Sequence, residues 1–211
     1  MPQPLSKVRN LTKGRRGGPF ALLERPELAH YIVAVISAWS HTEIALGRIL
    51  ANCLHAEPST GIHMYLALSG GAQRRDVLRD VAERNLTPEH MALFTVMMKA
   101  TKSIRERRND FAHGLWGVTD ELPDALLWNG ADSSLKNYER GIKQSGSQKD
   151  DTLVYRKKDF ETCLTDAQEA VTLVHGIGVL IFPGHNHAHA ETRTLLSSLP
   201  LLLKHGGLPM P

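Results

Sequence analysis

Cysteine is nearly absent. The chain has two, Cys53 and Cys163, too few and too scattered for a disulfide framework or a four-ligand zinc site. Free thiols in a reducing cytoplasm are the simpler reading. Long apolar runs are missing too. The longest, such as Ala170 to Phe182, are interrupted by His175 and Gly176, and none approaches the ~20 residues a membrane span requires. The opening Met-Pro-Gln-Pro-Leu-Ser-Lys has no apolar stretch of the kind a secretory signal needs. There is no internal repeat and no Gly-rich phosphate loop. These absences point away from a disulfide-stapled scaffold, a membrane protein and a nucleotide-loop enzyme. What remains is a soluble cytoplasmic chain of 211 residues, 42% of them hydrophobic, enough for one sizeable core.

The formal net charge of +3 is unevenly spread. Residues 1–20 carry Lys7, Arg9, Lys13, Arg15 and Arg16 with no acidic residue, which leaves 20 basic against 22 acidic residues elsewhere. The body is therefore near neutral. The excess sits in a segment rich in Pro and Gly, a composition that disfavours packing, so residues 1–24 read as a flexible basic arm. Such an arm either holds a nucleic-acid backbone or merely aids solubility.

Apolar periodicity sets out a helical domain over residues 25–183. Pro26 opens a helix to about His55, with Leu28, Ile32, Val35, Trp39, Leu46, Ile49 or Leu50, and Cys53 at three- and four-residue steps. Glu57-Pro58-Ser59 breaks it. A short helix over Ser59 to Leu68 follows, then Gly70-Gly71 and a largely exposed helix over Ala72 to Asn85. Thr87-Pro88-Glu89 caps a fourth helix that continues to His113, where Gly114 suits the left-handed residue just past the end. Its residues Leu93, Met97, Ala100, Ile104 and Phe111 share the core side; Arg105, Asn109 and His113 form the adjacent stripe. Short β-forming runs follow at Leu115 to Val118, Ala125 to Trp128 and Thr152 to Arg156. They make a small antiparallel appendage within an insert at about 115–157, which includes a polar loop at 129–151. Trp116 and Trp128 are expected to pack it onto the helices. Asp159 caps a last helix over Phe160 to Phe182, and residues 184–211 read as a loosely attached tail with one short helix at most.

The chemistry concentrates at Arg108-Asn109-Asp110-Phe111-Ala112-His113, on the end of a long helix. Asn109 and His113 stand one turn apart on one face, so the amide can orient the imidazole, and Arg108 flanks them. An imidazole exchanges a proton near neutrality, while a guanidinium binds phosphate through two parallel hydrogen bonds. Those are the parts for cleaving RNA without a metal. On that reading the ribose 2′-hydroxyl would attack its phosphate, with His113 as general base or acid and Arg108 stabilising the phosphorane, and the product ends would be a cyclic phosphate and a 5′-hydroxyl. The bland reading pairs Arg108 with a carboxylate and uses His113 as a helix cap, where a cation gains ~0.3–1 kcal/mol.

With Arg108, Asn109 and His113 in these places, residues 26–182 resemble the HEPN superfamily, whose mark is Arg, often followed directly by Asn, Asp or His, then His four to six residues after the Arg on the last long helix of a bundle. The two tails and the β-like insert lie outside that pattern. The resemblance implies a mainly α fold, an antiparallel helical bundle with the β appendage added after the fourth helix. It also implies a homodimer that joins two motifs into one site. Neither a cofactor nor a metal is implied. RNA is the expected substrate. An inhibitory protein partner is also expected, because an unregulated ribonuclease harms its host, and a toxin or defence role fits. The alternative is a non-catalytic helical dimer serving as an RNA- or protein-binding scaffold. A phosphate-ligand sensor fits less well without a phosphate loop.

Two further features carry opposed readings. Glu43 occupies a slot where the apolar stripe of the first helix should continue, and a carboxylate there needs a partner. Either Arg105 or Arg108 meets it and it supports the site, or it sits in water at the stripe's edge. His185, His187 and His189 alternate, which puts them on one side of an extended chain as for a divalent metal. Without a supporting second shell, a flexible tail is the better reading.

Overall fold

A computed structural model of the chain describes residues 2–8, 16–18, 20–131, 152–182 and 189–209. Contacts divide it into two compact units, Met1–Ile36 with Glu106–Thr165 and Ser37–Arg105 with Asp166–Pro211. The protein is mainly helical with a small antiparallel sheet. The helices are α1 (Pro26–Cys53), α2 (Pro58–Ala67), α3 (Gly71–Asn85), α4 (Pro88–Ala100), α5 (Lys102–His113), α6 (Lys157–Ile181), α7 (His189–Ser197) and α8 (Pro200–Leu203). The strands are β1 (Gln3–Pro4), β2 (Arg16–Gly17), β3 (Leu115–Val118), β4 (Ala125–Asn129) and β5 (Leu153–Arg156). Among the described residues no helix is long and apolar enough to cross a membrane.

The first unit is built on the sheet, ordered β1-β5-β4-β3-β2. The three central strands fall where β-branched, leucine and tryptophan residues alternate with turn signals, as the sequence suggested. The edges come from the N-terminal segment, read above as a flexible arm. Its described parts pair antiparallel, β1 with β5 and β2 with β3. At the β1 edge the reason is one apolar anchor. Leu5 is buried against Leu122, Ala125, Leu127 and Val154, a burial worth ~1.5–3 kcal/mol, and its N–H donates to the Thr152 carbonyl at 2.8 Å. Four aromatic rings close the core of this unit. Phe111, Trp116, Tyr155 and Phe160 all touch one another, with centroids 5.3–5.9 Å apart, in tilted and edge-on arrangements that aromatic quadrupoles favour.

In the second unit the periodic residues Trp39, Leu46, Ile49, Leu50 and Cys53 of α1 are buried, as are Leu93, Met97 and Ala100 of α4. His55 ends α1 in the left-handed region at φ 52°, with the Ala56 N–H returning to the Ala51 carbonyl at 2.9 Å. A Cβ on Gly61 would overlap Ala51, so glycine lets α2 lie directly on α1. The α3 helix buries only Leu78 and Ala82, as its polar sequence implied. Cys53 is a free thiol whose pKa burial pushes up to about 11, so it stays protonated and inert.

Three boundaries differ from the sequence reading. The fourth helix is interrupted at Thr101, which is 1% exposed. Its hydroxyl and its N–H both go to the Met97 carbonyl, each at 3.0 Å, the local competition that makes threonine bend helices. Asp159 lies inside α6, accepting from the Arg156 N–H at 3.0 Å; the helix therefore starts at Lys157. In the C-terminal segment, read as loose, Leu196, Leu201 and Leu202 of α7 and α8 are buried. Glu169 of α6 accepts from the Leu201 N–H at 2.7 Å, neutralising the start of α8.

Candidate functional site

The Arg-Asn-His motif occupies the closing turns of α5, and these are tied to the rest of the first unit on several sides. Phe111, 2% exposed, sets the inward face. One turn earlier Arg107, which sequence analysis passed over, donates from Nη1 to the Tyr155 hydroxyl at 2.7 Å and lies over the same ring. Burial, more than any charge, pushes the Tyr155 pKa up to about 12, so the phenol remains a neutral acceptor for this arginine. The terminal carbonyls of α5 are capped by indoles: Trp128 Nε1 donates to Asp110 at 2.8 Å and Trp116 Nε1 to Phe111 at 3.3 Å. The expectation that both tryptophans fasten the appendage to the helices thus takes a specific form.

Gly114 serves this arrangement in a way the sequence did not reveal. Expected as a left-handed cap, it is not among the glycines with positive φ, which are Gly18, Gly206 and Gly207 among the described residues. A Cβ there would overlap the Trp128 indole nitrogen. Glycine is required so that the ring can cross the chain and reach Asp110.

On the outer side, Asn109 and His113 are exposed and Arg108 is half-buried. Arg108 Nη1 donates to Asn109 Oδ1 at 3.1 Å, while its Nε is buried without a partner. Among the described residues no carboxylate pairs with Arg108, and no hydrogen bond joins Asn109 to His113. The amide therefore steadies the guanidinium, where the sequence had suggested that it orients the imidazole. Asp110, between them, has its pKa raised by burial, with Arg107 opposing and Glu106 reinforcing the shift. The α5 helix as a whole carries Lys102, Arg105, Arg107 and Arg108 against Glu106 and Asp110.

Glu43, in the second unit, does have a partner. Sequence analysis looked for it on the fourth helix, at Arg105 or Arg108; a 2.7 Å ion pair comes from Arg74 on α3. Arg74 also donates to the carbonyls of Leu68 at 3.1 Å and Leu66 at 2.9 Å and covers the Tyr65 ring. Tyr65 is pushed up to about 12 by burial and then by Glu43, with Arg74, Arg75 and Arg105 opposing.

Of the five basic residues assigned to nucleic acid, Arg9, Lys13 and Arg15 lie outside the described residues, as do His185, His187 and most of the 129–151 loop. Lys7 is exposed. Arg16 makes a two-pronged bond to Asp120 at 2.9 and 3.0 Å and a third to Glu24 at 3.0 Å, contacts it must loosen to hold a phosphate. His189 lies in the first turn of α7, and no group of three or more potential metal ligands occurs among the described residues.

No family model, curated protein or solved structure matches the chain. The functional argument therefore rests on the site.

The feature that sequence reasoning missed entirely is a cavity of about 590 Å³ in the first unit, walled by Gly114, Leu115, Trp128, Leu127, Leu22 and neighbouring residues. Its only signal in the sequence was the density of glycine and tryptophan around Gly114-Leu115-Trp116-Gly117.

Proposed function

We propose that this protein is a metal-independent RNA endonuclease of the HEPN type. The observation that carries the reading is the state of the motif: His113 exposed, and Arg108 held by Asn109 with no carboxylate neutralising it. A purely structural arginine would be expected to spend its donors on groups of the fold, as Arg107 does on Tyr155 and Arg74 on Glu43. Here the guanidinium keeps donors for a phosphate, and the histidine is open to the ribose.

In the reaction, the 2′-oxygen forms a bond to phosphorus as its proton passes to a histidine. Arg108 stabilises the charge on the non-bridging oxygens. The bond from phosphorus to the 5′-oxygen then breaks, and the leaving oxygen takes a proton from an imidazolium. One motif histidine per chain cannot be base and acid at the same instant. A homodimer that apposes two motifs supplies both, which is why two copies belong to this reading. A toxin or defence role, with an inhibitory protein partner, follows from the resemblance to that superfamily.

Labelled RNA incubated in EDTA with the wild-type chain and with His113→Ala provides the test. Wild-type cleavage leaving cyclic phosphate ends, lost in the variant, is the expected result. Equal cutting by the variant, or none by folded wild-type protein across a broad RNA panel, would turn the reading to a binding scaffold.

A further inference from the structure

The cavity beside the motif has a shape and a chemistry that restrict what can enter it. Its volume of about 590 Å³ is within the range of small-ligand sites. Gly17, Gly18 and Gly117 present bare backbone to it, and Leu115, Leu127 and the Trp128 indole supply apolar surface. Trp128 is held rigid, because its Nε1–H is spent on the Asp110 carbonyl; the ring is a fixed platform. Among the described lining residues Arg16 alone is charged, and Asp120 and Glu24 already neutralise it. The cavity therefore favours a flat, neutral ring over a phosphate. Asn129 offers the remaining uncommitted polar group: its Oδ1 is buried and has no hydrogen-bond partner, a costly condition that a ligand's N–H would relieve.

We propose that this cavity takes one unstacked nucleobase of single-stranded RNA, with its face on Trp128 and its edge toward Asn129. The proposal rests on the nuclease reading, whose substrate it narrows to unpaired RNA. Gly114, the residue after His113, forms part of the wall, so a base seated here lies against the end of the helix that carries the motif. Division of labour follows from charge. Arg108 engages the phosphodiester and the cavity engages the base, the combination by which unpaired RNA is commonly held.

The test uses a strand that cannot be cleaved, a 2′-O-methyl oligoadenylate, titrated into the full chain while tryptophan fluorescence is recorded. Trp116 and Trp128 both line the cavity, and binding should quench them. Leu115→Glu places a charge at the wall, at a side chain that is 54% exposed; the fold should persist, as circular dichroism would verify. Binding should weaken about ten-fold or more, the scale of losing one stacked base. An abasic strand of equal length should bind correspondingly less and leave the fluorescence unchanged. Equal binding of the abasic strand, or an unaltered Leu115→Glu titration, would overturn the proposal. The two readings fail separately. Base-dependent binding by a protein that cuts no RNA would remove the nuclease and keep the pocket. Cleavage that depends on His113 but is indifferent to Leu115→Glu would do the reverse.

Discussion

Two arginines, Arg74 at the α2–α3 corner and Arg108 at the end of α5, show how one side chain serves two purposes. Arg74 donates to Glu43 and to two backbone carbonyls and lies over Tyr65. Its donors are occupied by groups that the fold brings together, so it holds the turn between helices. Among the described residues the Arg108 side chain makes one hydrogen bond, to the residue beside it. Its guanidinium keeps unused donors, on the same closing turns of α5 as the exposed His113, and in this it differs from Arg74. Even the adjacent Arg107 belongs with Arg74, because it is spent on the Tyr155 hydroxyl and ring.

That contrast can be broken experimentally. The largest effect is expected for His113→Ala and Arg108→Ala, each lowering RNA cleavage by about 10²–10⁴-fold with little change in the urea midpoint. A marked loss of stability in Arg108→Ala would move it to the structural class. Next, Arg74→Ala should cost about 2–3 kcal/mol, because it strands the Glu43 carboxylate at 17% side-chain exposure; denaturant unfolding measures it, and a double variant with Glu43→Gln should recover part of the loss. Gly114→Ala should destabilise by ~1–3 kcal/mol through its collision with Trp128, visible as a lowered thermal midpoint together with altered tryptophan emission.

The smallest effect concerns pH. The His175 pKa is lowered from 6.5 by burial, and further by Arg48 and His41. The folded state therefore binds a proton less readily than the unfolded chain, so this residue's share of stability is full above 6.5 and is lost as pH falls from there through the folded value. Unfolding midpoints between pH 7.5 and 5 should decline on this account, and His175→Gln should make the decline shallower. A decline of equal steepness in the variant would assign it to other groups.

Much of this could be read from residue order. A 3.6-residue apolar period located α1, α4 and the buried side of α5, and a period of two with turn residues between located the three central strands, because both signals are local consequences of which face must be buried. The motif residues Arg108, Asn109 and His113 were legible for the same reason: neighbours on one helix are fixed by helix geometry alone. Partners distant in the chain were not. Glu43 asks for a cation, but its sequence context does not say that Arg74 supplies one. The run Arg105-Glu106-Arg107-Arg108 does not say which arginine Tyr155 will claim, and Leu5 is a single apolar residue in a polar segment until a sheet edge stands beside it.

What residue order determined by itself, then, was the set of elements and the chemical groups displayed on each, since these depend on contacts within a few residues. Only the tertiary structure decided which groups are spent and which remain available. Availability depends on acceptors, rings and bare backbone that come from far along the chain, as when Gly114 makes room for Trp128 and Trp128 caps the helix that carries His113.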